Sequence, residues 1–550
     1  MTRPPANAGD LDDQQSDRSA APSLDRGHAG VSFGWGLIAG VLVTVLAFLW
    51  SWHPSLWSDE GATISSATRS WSELLAMLSG IDLVHGLYYA FMHVWIALFG
   101  SSAVSIRLPS ALAVGIAGAC VYWTAARLRG HRYALWAVGV FALLPRIFWA
   151  GIEARPYAFT VMFSSMATLA LLIALGGRRG RQALLWWVGY GGMLILGVLS
   201  NLYVGLLVAA HLATVLWDRS ITRASRIAWF VTAGSAMVVL VPFFFAAYGQ
   251  AGQLSDRSFG LRDLAQSAAV TQYFLGDTPT TTTGVIRTAT TMSDIGTWWP
   301  AAALLLAAGG WTLIIVAVVR HRAELSGRAG QPRSGHPVLV WALPWLVIPP
   351  LVIGAYSVLV SPMYGARYLT FTTPAVALLV ALGLTSISVQ WLRRGIACVL
   401  VIALIPVYVS QRQLNGKNSS DWSSVAQYIG EQASVGQGVY FAPRYDVGGP
   451  TVGQTTRGIS VAYPGPFVGL VDMTLMRSAA DTGNLVGESR YLSESIDELA
   501  SVQTIWVIRR FDYPADDAAS DDNILNAAGF SKSSEWEGPL DVVIRYDRTE

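Results

Sequence analysis

Apolar and polar positions in this chain alternate on the scale of whole helices. Apolar runs lie at roughly 32–52, 105–126, 132–150, 157–176, 183–200, 201–217, 227–248, 298–320, 337–360, 368–388 and 395–411. A run of about 20 such residues crosses a hydrocarbon core, so the pattern predicts about eleven membrane-spanning helices. The first run starts too late and is too long for a cleavable signal peptide, and it reads as a retained span. Only "SNLY" separates 183–200 from 201–217. A further run, "GLYYAFMHVWIALFG" at 86–100, is short for a span and carries His93 and a tyrosine pair. It reads as a helix lying at the outer interface, with a short true span as the alternative.

Composition strengthens the membrane reading. Of 550 residues, 53% are hydrophobic and only 13% charged, against about a quarter charged in soluble domains. The 22 tryptophans suit many bilayer interfaces. A net charge of +2 makes no case for nucleic acid. Positive charge is nearly all arginine, with only Lys417 and Lys532 as lysines; this usage fits a GC-rich genome such as an actinobacterium's. Cys120 and Cys398 sit in apolar runs and read as buried hydrophobes, indicating no disulfide or thiolate metal site.

The arginines also orient the chain. "RLRGHR", "RRGR", "DRSITRASR", "RHRAELSGRAGQPR" and "LRR" all fall on one side, provided that 86–100 does not cross. That side is the cytoplasm of a plasma-membrane protein. Residues 1–31, polar and rich in Pro, Ala and Asp, read as a disordered cytoplasmic tail. Residues 32–411 form the membrane domain. Residues 412–550 read as a small extracytoplasmic α/β domain, with helices at "DWSSVAQYIGEQA" and "DDNILNAAGF" and strands at "GQGVYFAP", "VQTIWVIRR" and "LDVVIRYDR". The outer loop 249–297 suits either a lid or a plain linker.

Four polar constellations then fall in the outer compartment. "WSDEGA" places Asp59 and Glu60 just after the first span. Such carboxylates face water or a polar cavity. They are either solvated loop charge or a general base with a supporting or metal-binding neighbour, since adjacent side chains on a turn diverge. "IEARPY" places Glu153 and Arg155 at the next outer loop, near Arg146, as a helix-end anchor or as part of the same cavity. "DLVHGLYYAF" brings Asp82, His85, Tyr88 and Tyr89 to the start of the interfacial helix, as cavity floor or as interfacial anchors. "SPMYGARYLTFTTP" puts Arg367 beside Tyr364 and Tyr368 at an outer span end, as a lipid-phosphate ligand or a snorkelling arginine.

Taken in order, the acidic pair, "D-x-x-H-x-L-Y-Y", "R-L-P-S-A-L", "E-A-R-P-Y" and a late "R-Y-L…P" resemble the GT-C membrane glycosyltransferases. The group most resembled is the protein O-mannosyltransferase and aminoarabinose-transferase superfamily, including mycobacterial envelope mannosyltransferases. The resemblance covers residues 32–410. It departs from the usual "H-P-P-L-Y-Y" at His85-Gly86-Leu87-Tyr88-Tyr89. It implies a polytopic α-helical GT-C fold and an inverting transferase using a polyprenyl-monophosphate sugar. Asp59 would be the general base, Glu153 would shape the site, and Arg155 or Arg367 would steady the leaving phosphate. The resemblance leaves a divalent cation open. Mannose transfer to an envelope glycan or lipoglycan is the expected reaction; arabinose, another sugar or a protein acceptor are the alternatives. A polyprenyl-lipid flippase would place ionisable groups near the midplane, whereas these cluster at the outer edge. A non-catalytic assembly protein would tolerate loss of Asp59.

Overall fold

A computed structural model of the protein describes residues 24–176, 180–250, 260–276, 298–326, 337–444 and 455–549. The first helix, α1 (Leu24–Phe48), begins ahead of the expected span, inside the segment read as tail. It ends in a turn where Trp50 takes a φ of 57°. Three short helices follow before the next span: α2 (Ser58–Ala67), α3 (Trp71–Gly80) and α4 (Gly86–Phe99). Ser70 opens α3 with a capping box, its hydroxyl accepting from the amide of Glu73 while the Glu73 carboxylate takes the Ser70 amide.

The membrane part continues as α5 (Ala103–Arg129), α6 (His131–Leu143), α7 (Pro145–Gly151), α8 (Tyr157–Leu175), α9 (Gly180–Ser200), α10 (Leu206–Trp217) and α11 (Arg223–Gly249). After α12 (Leu261–Gln266) and a π-helical turn at Ser267–Leu275 come α13 (Trp299–Ser326), α14 (Val338–Leu359), α15 (Thr373–Thr385) and α16 (Gln390–Ser410).

Among the described residues eight helices are long and apolar enough to cross a bilayer, and α6 with α7 makes a ninth that bends by 63°. The bend falls where Leu144 precedes Pro145 and is held extended (φ −74°, ψ 126°), as a residue before proline prefers. The other two expected spans are shorter apolar helices, at Phe33–Phe48 and Leu202–Trp217. The second is set off by Asn201, whose side chain accepts from the amide of Tyr203 and so caps a new start.

Close approach of small residues packs the bundle. A Cβ on Gly115 of α5 would lie 1.8 Å from Thr44 Oγ1 of α1, so only glycine lets these helices cross there. Cys120 is buried as expected, but Cys398 is exposed on α16. The expected lid is described only in part. Within it Gln272, Tyr273, Phe274 and Leu275 are buried against the bundle, and the remainder lies outside the described residues.

Among the described residues the C-terminal region holds α17 (Trp422–Gln432), α18 (Gly458–Ala462) and seven strands: β1 (Gly438–Ala442), β2 (Val471–Asp472), β3 (Leu475–Arg477), β4 (Glu488–Ser489), β5 (Thr504–Arg510), β6 (Phe530–Glu537) and β7 (Asp541–Arg548). Five form one sheet in the order β2-β1-β5-β7-β6, with β1 parallel to β2 and β5, and β7 antiparallel to β5 and β6. The three strands expected from sequence are β1, β5 and β7. β6 escaped because its Ser, Lys and Glu face outward along an exposed edge.

Period-two alternation divides the sheet between two cores. Tyr440, Ile505, Val507, Ile544 and Tyr546 share one with Leu525 of the helix Ala515–Ala527. Val439, Phe441, Trp506, Ile508 and Val543 face the other way, into a cluster with Trp422 and Ile459 that continues through Ile64, Leu74, Tyr89 and Ile106. The sheet region is therefore built onto α2–α5 through a shared apolar core.

Candidate functional site

The site grows from one buried arginine. Arg107, near the start of α5, donates to the carbonyls of Ser51 (2.7 Å), Pro54 (2.8 Å) and Ser55 (3.1 Å) and grips both carboxylate oxygens of Glu60. The rigid guanidinium fork can serve loop carbonyls and a carboxylate at once. Glu60 also accepts from the amide of Ala154 at 3.1 Å, so the 51–60 loop, α5 and the 153–155 turn are fastened together. Burial alone would push the Glu60 carboxyl up; Arg107 and Lys417 outweigh it and hold the group below the usual carboxylate range.

Glu153 is fully buried in the same knot. Trp57 Nε1 donates to Glu153 Oε1 at 2.7 Å, Lys417 Nζ pairs with Oε2, and Ser110 Oγ donates to the Glu153 carbonyl at 2.6 Å. Lys417 Nζ lies 4.0 Å from the centre of the Trp149 ring. Burial pushes the Glu153 carboxyl up and Lys417 pulls it back only in part. Glu153 thus does not face an open cavity opposite Asp59, as its place in the outer loop suggested; Trp57 and Lys417 enclose it.

Asp59 and Glu60 diverge as adjacent residues should, though on the first turn of helix α2. Successive helical residues are about 100° apart, so fixing Glu60 inward swings Asp59 outward. Asp59 Oδ2 lies 2.9 Å from Arg367 Nη1 and 3.8 Å from Arg155 Nε. The Asp59 and Arg367 side chains keep 21% and 24% of their accessible surface. Burial raises the Asp59 carboxyl; Arg367, then Arg155 and His85, outweigh it, and its pKa falls below the ordinary value. Arg367 is seated among aromatic faces, with Trp57 at 5.8 Å, Tyr157 at 6.0 Å and Tyr368 at 5.6 Å.

Arg155 is held from its far side. It donates to Tyr89 Oη at 2.9 Å and approaches His85 Nε2 at 3.4 Å, while Tyr89 donates to Asp82 Oδ2 at 2.8 Å. His85 Nδ1 lies 3.5 Å from Asp82 Oδ1. Burial, then Arg155, push His85 below its usual value. Asp59, Asp82, His85, Tyr89, Arg155 and Arg367 therefore form one contiguous polar array. Tyr88 and Tyr89 are buried, so neither is an interfacial anchor. Tyr88 packs edge-on against Phe159, with ring centres 5.4 Å apart. Tyr364 is a second departure. It is buried and donates to Gln272, which belongs with Tyr273 and Thr372. Among the described residues no three His, Cys, Asp or Glu side chains are grouped to hold a metal ion.

Two site residues were missed in the sequence. Arg107 was visible only as the first letter of "RLPSAL". Lys417 stood in a linker; its signal was rarity, as one of two lysines in the chain. Much of that linker is buried, including Gln411, Arg412, Lys417 and Ser420. Arg412 Nε and Nη2 donate to the Leu49 and Ala47 carbonyls that end α1, and Gln411 donates to the Leu275 carbonyl at 2.7 Å.

Nearly the whole chain aligns with the solved structure of ArnT. ArnT from Cupriavidus metallidurans aligns in its apo state with a TM-score of 0.52 and 12% identity, over 93% of this chain and 98% of that one. The same protein bound to undecaprenyl phosphate aligns with a TM-score of 0.50 and 14% identity over the same shares. Residues 86–245 match the family described as dolichyl-phosphate-mannose-protein mannosyltransferase. The chain therefore shares its fold with ArnT, and within it residues 86–245 resemble the mannosyltransferase family. The match takes in Glu153, Arg155, Tyr88 and Tyr89 but stops short of Asp59 and Arg367, so the array extends beyond the segment that the family model covers. No curated protein matches the chain in sequence. The chain is a multi-pass membrane protein.

Proposed function

We propose that the chain is an inverting glycosyltransferase that moves a sugar from a polyprenyl monophosphate to an acceptor hydroxyl at the outer face of the plasma membrane. Mannose is the favoured sugar, and an envelope glycan or lipoglycan the favoured acceptor. The observation that carries the reading is the half-open carboxylate Asp59 between Arg367 and Arg155. The family description names a dolichyl-phosphate-mannose donor, and ArnT was solved with undecaprenyl phosphate.

The chemistry follows from that geometry. Asp59 takes the proton of the acceptor hydroxyl as the oxygen forms its bond to the anomeric carbon. The bond from that carbon to the phosphate oxygen breaks, and its electron pair leaves with the polyprenyl phosphate. Arg367 and Arg155 hold the growing negative charge on the phosphate, a preorganised electrostatic role. When they turn to the phosphate, Asp59 loses part of the field that depresses its basicity, so donor binding readies the base. Tyr89, Asp82 and His85 orient Arg155. Glu60 and Glu153 act as positioning residues through Arg107 and Lys417.

The test is transfer by the purified protein from radiolabelled polyprenyl-phosphate mannose to envelope glycans, for wild type and Asp59→Asn. No wild-type transfer from any polyprenyl-phosphate sugar would sink the reading, and full transfer by Asp59→Asn would remove the base. The family description also favours a second reading, a protein acceptor, which the same assay distinguishes with serine- and threonine-containing peptides.

A further inference from the structure

We propose that the membrane end opposite Asp59 carries a binding site for the phosphodiester headgroup of an anionic phospholipid. The site is a cavity of about 630 Å³ where the ends of four helices meet. Arg129 comes from the end of α5, Arg132 and Trp136 from the start of α6, Thr385 from the end of α15 and Arg393 from the start of α16. It is far from the array around Asp59. Arg107 and Arg129 lie on one helix, about 33 Å apart at 1.5 Å per residue.

Several features of the lining select an anion. It presents three guanidinium groups and no carboxylate. Arg393 lies over Trp136, its Cζ 5.7 Å from the ring centre, so its planar fork is held in place. Arg393 Nε is buried without a hydrogen-bond partner, which leaves a donor for an acceptor oxygen. The N-termini of α6 and α16 add free amides and positive partial charge, enough with the arginines to outweigh the C-termini of α5 and α15. Guanidinium forks fit phosphate oxygens.

Other features select a lipid over free phosphate. Leu135 lines the cavity and is exposed. Val389, just before α16, and Trp391 and Leu392 within it are exposed next to Arg393, on a helix that is apolar enough to cross the bilayer. Acyl chains can lie along these residues while the headgroup sits among the arginines. Basic pockets between membrane helices take anionic headgroups in this way. The site stands whether or not the transferase reading holds, since none of its residues belongs to the Asp59 array.

The experiment is native mass spectrometry of the full-length protein released from nanodiscs of phosphatidylcholine doped with phosphatidylglycerol. Wild type should retain one phosphatidylglycerol with about tenfold preference over its share of the bilayer. Arg132→Gln, at an exposed position, should cut that preference at least threefold. Arg132→Gln with Arg393→Gln should abolish it, and Arg394→Gln, exposed on the same helix end but outside the lining, should leave it intact. Equal retention by wild type and Arg132→Gln overturns the site and leaves diffuse attraction. Displacement of the lipid by millimolar glycerol 1-phosphate or inorganic phosphate overturns the lipid as occupant and makes this a free-phosphate site.

Discussion

Asp59 and Glu60 are neighbours in sequence and end in different surroundings. Around Glu60 and Glu153 the protein is dry. Two carboxylates face two cations, Arg107 and Lys417, and all four side chains have no accessible surface. Around Asp59 a single carboxylate lies between two guanidinium groups, with a fifth of its surface open. The closed cluster pairs its charges with one another inside the fold. The open one keeps an oxygen and two cations available to a substrate. Access, more than acidity, separates a group that positions from a group that reacts.

The sharpest test of this contrast exchanges the readouts of the two neighbours. Asp59→Asn keeps the shape and removes the base. Transfer should fall by about 10²–10⁴-fold, the range for a general base, while the thermal melting curve stays where it was. Glu60→Ala should do the reverse. It strands Arg107 in a dry site, and breaking a buried pair costs about 3–5 kcal/mol. Chemical unfolding and the yield of folded protein report that loss. If Glu60→Ala folds with wild-type stability and yet loses turnover, the division between the clusters collapses.

Lys417 gives the next effect in size. Lys417→Met should destabilise by about 3 kcal/mol, because Glu153 is left buried without its cation. Glu153→Gln in the same chain should restore most of that loss. A double-mutant cycle then isolates the pair. Additive losses would mean that Lys417 acts through its contact with Trp149 rather than through Glu153.

How much of this was legible in the sequence differs between the same two regions. Hydrophobic run length gave the membrane helices, because a bilayer demands it of each segment separately. The break at Pro145 and the cap at Asn201 are local, and both residues were in view. Asp59, Arg155 and Arg367 were legible as polar residues at span ends, although nothing local brings together Asp59 and Arg155, 96 positions apart, with Arg367, 212 positions further on. The closed cluster was not legible. Glu60 looked like half of a catalytic pair because sequence does not show which way a helix turn faces. Lys417 looked like linker because its burial depends on α17 and α18 docking onto α2. Tyr364 looked like part of the site through its nearness to Arg367 in sequence, yet its hydroxyl turns to Gln272.

The smallest effect concerns pH, and it tests whether the open cluster behaves as one electrostatic unit. Arg367 is the largest influence lowering the Asp59 carboxyl, ahead of Arg155 and against the upward push of burial. A general base works only when deprotonated, so kcat/KM falls on the acid side as pH drops through the pKa of Asp59 in the free enzyme. Arg367→Gln removes the main downward influence. The acid limb should then move to higher pH, with Arg155 still holding it below where Arg155→Gln together with Arg367→Gln would place it. Stability carries the same sign. A carboxylate with a depressed folded pKa contributes stability above the unfolded value of about 3.9, and loses it as pH falls through the folded value. That contribution is small here, because the pair is open to solvent screening. The profile for kcat should lie at higher pH than that for kcat/KM, since a bound donor phosphate adds negative charge beside Asp59 and draws the arginines away. Coincident profiles would mean that the arginines stay on Asp59 through turnover and that the phosphate is held elsewhere.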